Sequence, residues 1–183
     1  TLEKQKIPHE QVDTIQNAEQ IISSIEVGLN LLNSMHIEYK DVNNWNQYLA
    51  DYLAQYGAIQ QGTQPSFAEL LQNKLNQNPG WVLQPYPVAI PHLKDDLIQH
   101  PLIVITILDQ AITMQNAHND LFKIKYLIGL FIPNNDEMAQ LVGELSAELG
   151  HHLDHIDDFM KQPEQLKHNL RNSFLKRIKK QLI

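Results

Sequence analysis

Histidine is the side chain with the clearest capacity for chemistry in this sequence, which contains nine histidines and no cysteine. Without cysteine, the chain cannot form disulfides or use thiol catalysis or cysteine-ligated metal. His92 ends the run Val88-Ala-Ile-Pro-His, where an apolar strand returns to the surface and a proline restrains the backbone before the ring. A neutral imidazole in such a place can act as a nucleophile. A histidine in an ordinary loop explains the same residues, so the spacing leaves both interpretations open.

A second group of histidines lies in Gly150-His-His-Leu-Asp-His155, where His151 and His155 are one helical turn apart. Such a pair can bind zinc. The segment lacks the His-Glu-x-x-His pattern and an evident third ligand, so the solvent-exposed start of a helix explains it better. We therefore predict no resident metal and no cofactor, with zinc at His151 and His155 as the less favoured alternative.

Composition and missing motifs exclude several functional classes. The net charge of -7 argues against non-specific nucleic-acid binding, which needs a positive surface. The sequence has no Gly-x-Gly-x-x-Gly, Walker or Gly-x-Ser-x-Gly motif, the usual markers of nucleotide binding and serine hydrolysis. Its most apolar run, from Leu102 to Leu108, is far shorter than the ~20 residues of a spanning helix. We expect a cytoplasmic protein that neither inserts into membranes nor contacts nucleic acid directly.

The elements that must position His92 indicate an α/β fold with a mixed sheet of about four to five strands flanked by helices. The continuously apolar segments Leu102–Leu108 and Lys123–Ile132 are typical of strands buried on both faces. Shorter strands are predicted at Ile37–Tyr39, Trp81–Leu83 and Val88–Ile90. Helices are predicted over about 45–56, from a capping box of Ser66 and Glu69, over 136–150, and over about 153–160 and 164–182.

The chain divides, by this pattern, into a linker or N-terminal extension over 1–27 and a compact domain over 28–183. The extension is polar, with one predicted helix from Val12 to Ile25. The sequence begins with Thr1, which favours a piece of a longer protein.

The last predicted helix is strongly basic, and two interpretations compete for it. It could be a patch for nucleic acid or anionic membrane, or a helix docked on the domain with cations at its negative end. An apolar stripe favours docking: Leu170, Phe174, Leu175, Ile178 and Leu182.

Together these elements resemble the fructose/mannitol-type EIIA domain of the bacterial sugar phosphotransferase system (PTS), over about residues 28 to 182. In that family a helix pair precedes a strand that ends in a Gly-Ile-Ala-Ile-Pro-His-like motif, and Val88-Ala-Ile-Pro-His92 matches its second half. The two apolar strands, the second closing in Phe-Ile-Pro, and the helix with Glu144-Leu-Ser-Ala-Glu-Leu149 follow in the family's order.

The resemblance implies that His92 is a phosphoacceptor, which takes a phosphoryl group from the small carrier HPr and passes it on. A backbone carbonyl usually fixes the ring tautomer, and Lys94 and the amides after His92 are candidate phosphate contacts. Two phosphate partners of the family, and the glycines that usually precede the motif, are missing from the sequence. A second histidine would fall near Met138, and an arginine would fall near Lys74, which could keep the charge but not the fork geometry.

Three roles are compatible with this variant site. EIIA domains occur in sugar transporters, where they phosphorylate EIIB, and as sensory modules of transcription regulators, where the histidine is a switch. The missing phosphate partners and the linker-like N-terminus favour the regulator, in which regulatory domains of the same parent protein would be partners. The alternatives are a transporter subunit that serves EIIB and an interaction domain that is never phosphorylated.

Overall fold

A computed structural model describes residues 8–183 and shows an open five-stranded sheet between two layers of helices. This architecture confirms the predicted α/β class with a mixed sheet. The strands are β1 (Met35–Lys40), β2 (Val88–Ala89), β3 (His92–Lys94), β4 (Leu102–Gln115) and β5 (Leu121–Ile132). The helices are α1 (His9–Asn33), α2 (Trp45–Gln55), α3 (Gln64–Gln77), α4 (Asp136–Gly150), α5 (Ile156–Phe159) and α6 (Glu164–Leu182).

The sheet is mixed because its two long central strands form a hairpin while shorter strands add in parallel at the edges. β1 pairs in parallel with β4, which pairs antiparallel with β5. β2 and β3 pair in parallel with β5, one after the other along the same edge. The centre of the sheet is buried on both faces, which explains the continuous apolar runs of β4 and β5.

Two hydrophobic cores cover the two faces of the sheet. The first includes the apolar faces of α2 and α3, and the second includes those of α1, α4 and α6. Within residues 8–183, no helix combines the length and the hydropathy that crossing a membrane requires.

Two local predictions before His92 are wrong. The segment predicted as a strand over Trp81–Leu83 contains a 3-10 turn (Pro79–Trp81), and Val82 makes only a single bridge to Ala89. The 3-10 turn already includes Trp81, so the pairing is limited to two backbone hydrogen bonds, from Leu83 N to the Val88 carbonyl and from Ile90 N to the Trp81 carbonyl. The capping box of Ser66 and Glu69 is also absent, because α3 begins earlier, after Thr63, with a proline in its first turn.

The N-terminal helix passes through the predicted boundary between residues 27 and 28. α1 contains the helix predicted from Val12 to Ile25 and continues without interruption to Asn33. Gly28 lets it approach α6, since a Cβ at that position would lie 2.2 Å from the Phe174 ring. The division into an extension over 1–27 and a domain over 28–183 stays a prediction, and residues 1–7 lie outside the described residues.

The C-terminal helix is docked on the domain, as its apolar stripe predicts. α6 buries four residues one turn apart: Leu166, Leu170, Phe174 and Ile178. Leu175 and Leu182, which the sequence assigns to the same stripe, are exposed instead. Arg177 forms an ion pair with Glu144 of α4.

A tyrosine–carboxylate pair gives the fold a predicted sensitivity to acid. The Tyr126 hydroxyl donates to Asp157 Oδ1 at 2.6 Å, and this bond, with Lys125, lowers the pKa of Asp157. The unfolded carboxyl has a pKa of about 3.9, so the stabilisation is present above that pH and is lost as pH falls through the lower folded pKa. Acid titration of unfolding should show a smaller loss below about pH 4 in Tyr126→Phe. Identical acid profiles would contradict the coupling.

Candidate phosphoacceptor site

His92 lies at the start of β3, where the edge of the sheet is interrupted. β2 and β3 flank Ile90 and Pro91, which continue along β5 without being part of either strand. The Pro91 carbonyl still accepts from Leu130 N at 2.9 Å, so the break is anchored to the central strand. Ile90 and Pro91 are buried and His92 is exposed. The sequence therefore places an imidazole ring at the surface on a fixed backbone.

One ring nitrogen of His92 is held by the backbone. Nδ1 lies 2.8 Å from the carbonyl oxygen of Ile90. A carbonyl can only accept, so Nδ1 carries the proton in the neutral ring and Nε2 has the free lone pair. In the part of the chain that the structure describes, Nε2 has no hydrogen-bond partner. This is the tautomer that an Nε2 nucleophile requires.

Trp81 supports the same ring from the side, and sequence reasoning missed this role. Its indole is 3% exposed, and the ring centroids of Trp81 and His92 are 5.7 Å apart, tilted by 47°. The Trp81 carbonyl accepts from Ile90 N at 2.7 Å, so the turn also holds the residue that orients the imidazole. The one available sequence signal was an aromatic residue beside Pro79-Gly80, which the predicted strand obscured.

Lys94 lies on the same side of β3 as His92. Alternate residues of a strand share a face, about 6.6 Å apart, and Leu93 between them packs against the first core. Lys94 Nζ forms an ion pair with Asp136 Oδ1 at 3.0 Å, which brings the cation to the N-terminus of α4. The side chain of Asp136 is almost fully exposed. Lys94 could therefore turn from this partner towards a phosphoryl group.

The resemblance implies phosphate partners near Met138 and Lys74, and the structure buries these two residues to different extents. Met138 is 7% exposed in the second core, and its amide donates to Asn135, which caps α4. Lys74 lies in the last turn of α3 and is half-buried. Within residues 8–183, no hydrogen bond or ion pair joins Lys74 to His92 or Lys94. Its proposed charge at the site stays a prediction.

In the segment with His151 and His155, the histidine between them makes packing and hydrogen-bond contacts within the fold. His152, between the two residues considered for zinc, stacks on Phe159 with centroids 3.9 Å apart and lies 3.1 Å from Glu148. That contact helps to lower the pKa of Glu148. Over residues 8–183, no group of three or more histidine, aspartate or glutamate side chains is placed to hold a metal ion. His151 and His155 therefore gain no third ligand from this part of the chain.

Most of the chain matches a known protein family. Residues 30–168 match the family model of the phosphoenolpyruvate-dependent sugar phosphotransferase system, EIIA 2. The chain belongs to this family. No curated protein matches it.

Solved structures share the fold at low sequence identity. A provisionally assigned PTS IIA (PtxA) from Streptococcus mutans has 13% identity and a TM-score of 0.54, with 80% of this chain and 94% of that chain covered. A provisionally assigned PTS IIA domain from Streptococcus pyogenes M1 GAS has 15% identity and the same TM-score of 0.54, with 81% and 94% covered. At such identities the likeness extends to the fold alone.

Substitution of Lys94 tests its position beside the ring. Lys94→Met should slow phosphoryl transfer to the chain by about three- to tenfold, since a partly solvated charge-assisted contact is worth roughly 1 kcal/mol. The rate can be followed by intact mass after mixing with a phosphorylated donor. Lys123→Met, on the exposed face of β5, is the matched control and should leave the rate unchanged. An unchanged rate in Lys94→Met would remove this residue from the site.

Proposed function

We propose that this chain is a regulatory EIIA domain that HPr phosphorylates on His92, and that the phosphorylation reports PTS status to a transcriptional regulator. The observation that carries the proposal is the held imidazole: Nδ1 is engaged by Ile90 and Nε2 is free. Family membership makes a phosphohistidine carrier the natural donor.

The proposed transfer uses the free lone pair. Nε2 attacks the phosphorus in line, its bond to phosphorus forms, and the nitrogen–phosphorus bond of the donor breaks. The proton on Nδ1 stays on the ring, where the Ile90 carbonyl stabilises the positive charge that develops. Lys94, two residues along β3 from His92, is the positive group that we expect to contact the phosphoryl oxygens.

The lack of a second histidine beside His92, within the described part of the chain, favours a regulatory role over a role in transport. By the resemblance, the family's second histidine would fall near Met138, whose buried thioether side chain cannot donate a hydrogen bond to a phosphoryl group. A slower site suits a switch, in which phosphorylation adds about -1.5 to -2 charges to a partner surface. Fast onward transfer needs the fuller set of phosphate contacts.

The proposal is tested by incubating the chain with phosphoenolpyruvate, enzyme I and HPr and following its intact mass, then adding EIIB. We expect an acid-labile gain of one phosphate that requires HPr and is lost only slowly to EIIB. Rapid, complete transfer to EIIB would instead support a transporter subunit. No gain of mass would leave an interaction domain that is not phosphorylated.

A further inference from the structure

We propose that the outer face of α1 and α6 is a homodimer interface, in which α1 of each copy packs on α6 of the other. This surface is separate from His92 and does not depend on the proposed function. The face is unusual because it exposes large aliphatic residues at regular helical spacing: Ile15 51%, Ile22 56%, Leu29 49%, Leu175 51% and Leu182 68%.

The α1 residues form one stripe, opposite the side that packs on the domain. Ile15, Ile22 and Leu29 are spaced by seven, the repeat of helices that pack along a seam. Leu31 follows Ile22 by two and a half turns, so it points the other way, and it is buried in the second core. α1 is therefore apolar on two sides, and only one of them is covered by its own domain.

The α6 residues form a shorter stripe with the same spacing. Leu175 and Leu182 are also seven apart and lie outside the buried row of this helix. The two helices pack antiparallel, because Gly28 is level with Phe174 while the end of α1 at Asn33 shares a groove with Lys167. The stripes consequently run side by side across one layer.

The charges of the two helices are complementary. α1 has no lysine or arginine and four acids: Glu10, Asp13, Glu19 and Glu26. α6 has one acid, Glu164, and six basic residues: Lys167, Arg171, Lys176, Arg177, Lys179 and Lys180. Among residues 8–183, Arg177 is the only one of these side chains that forms an ion pair. The remaining charges are free to meet a partner.

A second copy of this chain fits these features. A two-fold axis parallel to the axes of α1 and α6 places the acidic α1 of each copy on the basic α6 of the other. The same rotation therefore creates two equivalent α1–α6 contacts. Two α1 helices packed on each other would instead bring acids together, which is unfavourable. The symmetric exchange therefore satisfies both the apolar stripes and the charges.

Sedimentation equilibrium of the full chain tests the interface. We expect a dimer that Ile22→Asp weakens at least tenfold in Kd and that added salt also weakens. Leu121→Asp is the matched control, since Leu121 is 64% exposed on the hairpin of β4 and β5, away from both helices. Circular dichroism verifies that each variant is folded. A chain that stays monomeric at all concentrations, or an Ile22→Asp variant that dimerises normally, would overturn the proposal.

Charge reversal distinguishes packing of α1 on the partner's α6 from other ways of forming a dimer. Glu19→Lys with Glu26→Lys reverses the acids beside Ile22, and Arg171→Glu with Lys179→Glu reverses the bases one turn on either side of Leu175. Each pair of substitutions should raise Kd at least tenfold, and the four together should restore the dimer. Packing of α1 on the partner's α6 would be contradicted by either of two results. One is that the α1 substitutions weaken the dimer but the α6 substitutions do not, and the other is that the variant with all four substitutions stays monomeric.

Discussion

Replacing His92 with glutamine should reduce phosphorylation of the chain by phosphorylated HPr to the background of the measurement. Glutamine keeps a polar side chain that can contact the Ile90 carbonyl, but its amide nitrogen has no lone pair available for attack on phosphorus. The exposed position of His92 means that the substitution should leave the free energy of unfolding within about 0.5 kcal/mol. Loss of labelling in a stable protein would therefore report the missing nucleophile.

Matched histidine variants make this experiment specific. His100→Gln and His118→Gln remove exposed histidines from other parts of the chain and should retain full labelling. Intact mass before and after brief acid treatment distinguishes a phosphohistidine from a stable ester. Persistent acid-labile labelling of His92→Gln would move the acceptor to another histidine.

Replacing Trp81 with alanine should cause the largest loss of stability among the site variants, about 3–5 kcal/mol. The indole is buried in the first core, and its removal leaves a cavity under the 3-10 turn that holds Ile90. The same change frees one side of the His92 ring, so the phosphorylation rate of the remaining folded protein should also fall. Denaturant unfolding measures the first effect, and intact mass under native conditions measures the second.

Two further variants separate these effects. Trp81→Phe keeps an aromatic ring near His92 and should recover part of both losses. Tyr39→Ala also removes a large aromatic side chain, but from an exposed position on β1, and should cost less than about 1 kcal/mol. A Trp81→Ala variant as stable as Tyr39→Ala would contradict the role of this residue in the core.

Elements with strong and unbroken patterns were predictable from the sequence. The apolar runs of β4 and β5 admit few alternatives, and α4 runs from Asp136 to Gly150 as its spacing predicts. The assignment of Leu175 and Leu182 to a buried stripe was wrong because periodicity shows which residues share a face, not how wide the covered part of that face is. The width depends on how α1 and α4 approach α6.

Of the candidate site, only His92 was predictable from the sequence. His92 follows a recognisable strand end, whereas the contacts of the groups around it are not visible in the residue pattern. Trp81 reaches the ring through a turn, and Asp136 meets Lys94 from the next layer. The Ile90 carbonyl is a backbone group, which the residue types do not reveal. Such contacts depend on tertiary geometry, which sequence spacing does not fix.

NMR of the phosphorylated chain, with its histidines labelled by ¹⁵N, tests most directly whether Nε2 of His92 accepts the phosphoryl group. We expect one phosphohistidine, at His92, with phosphorus coupled to Nε2 and the proton retained on Nδ1, as the contact with Ile90 requires. Coupling to Nδ1, or to any other histidine, would contradict this assignment of the acceptor.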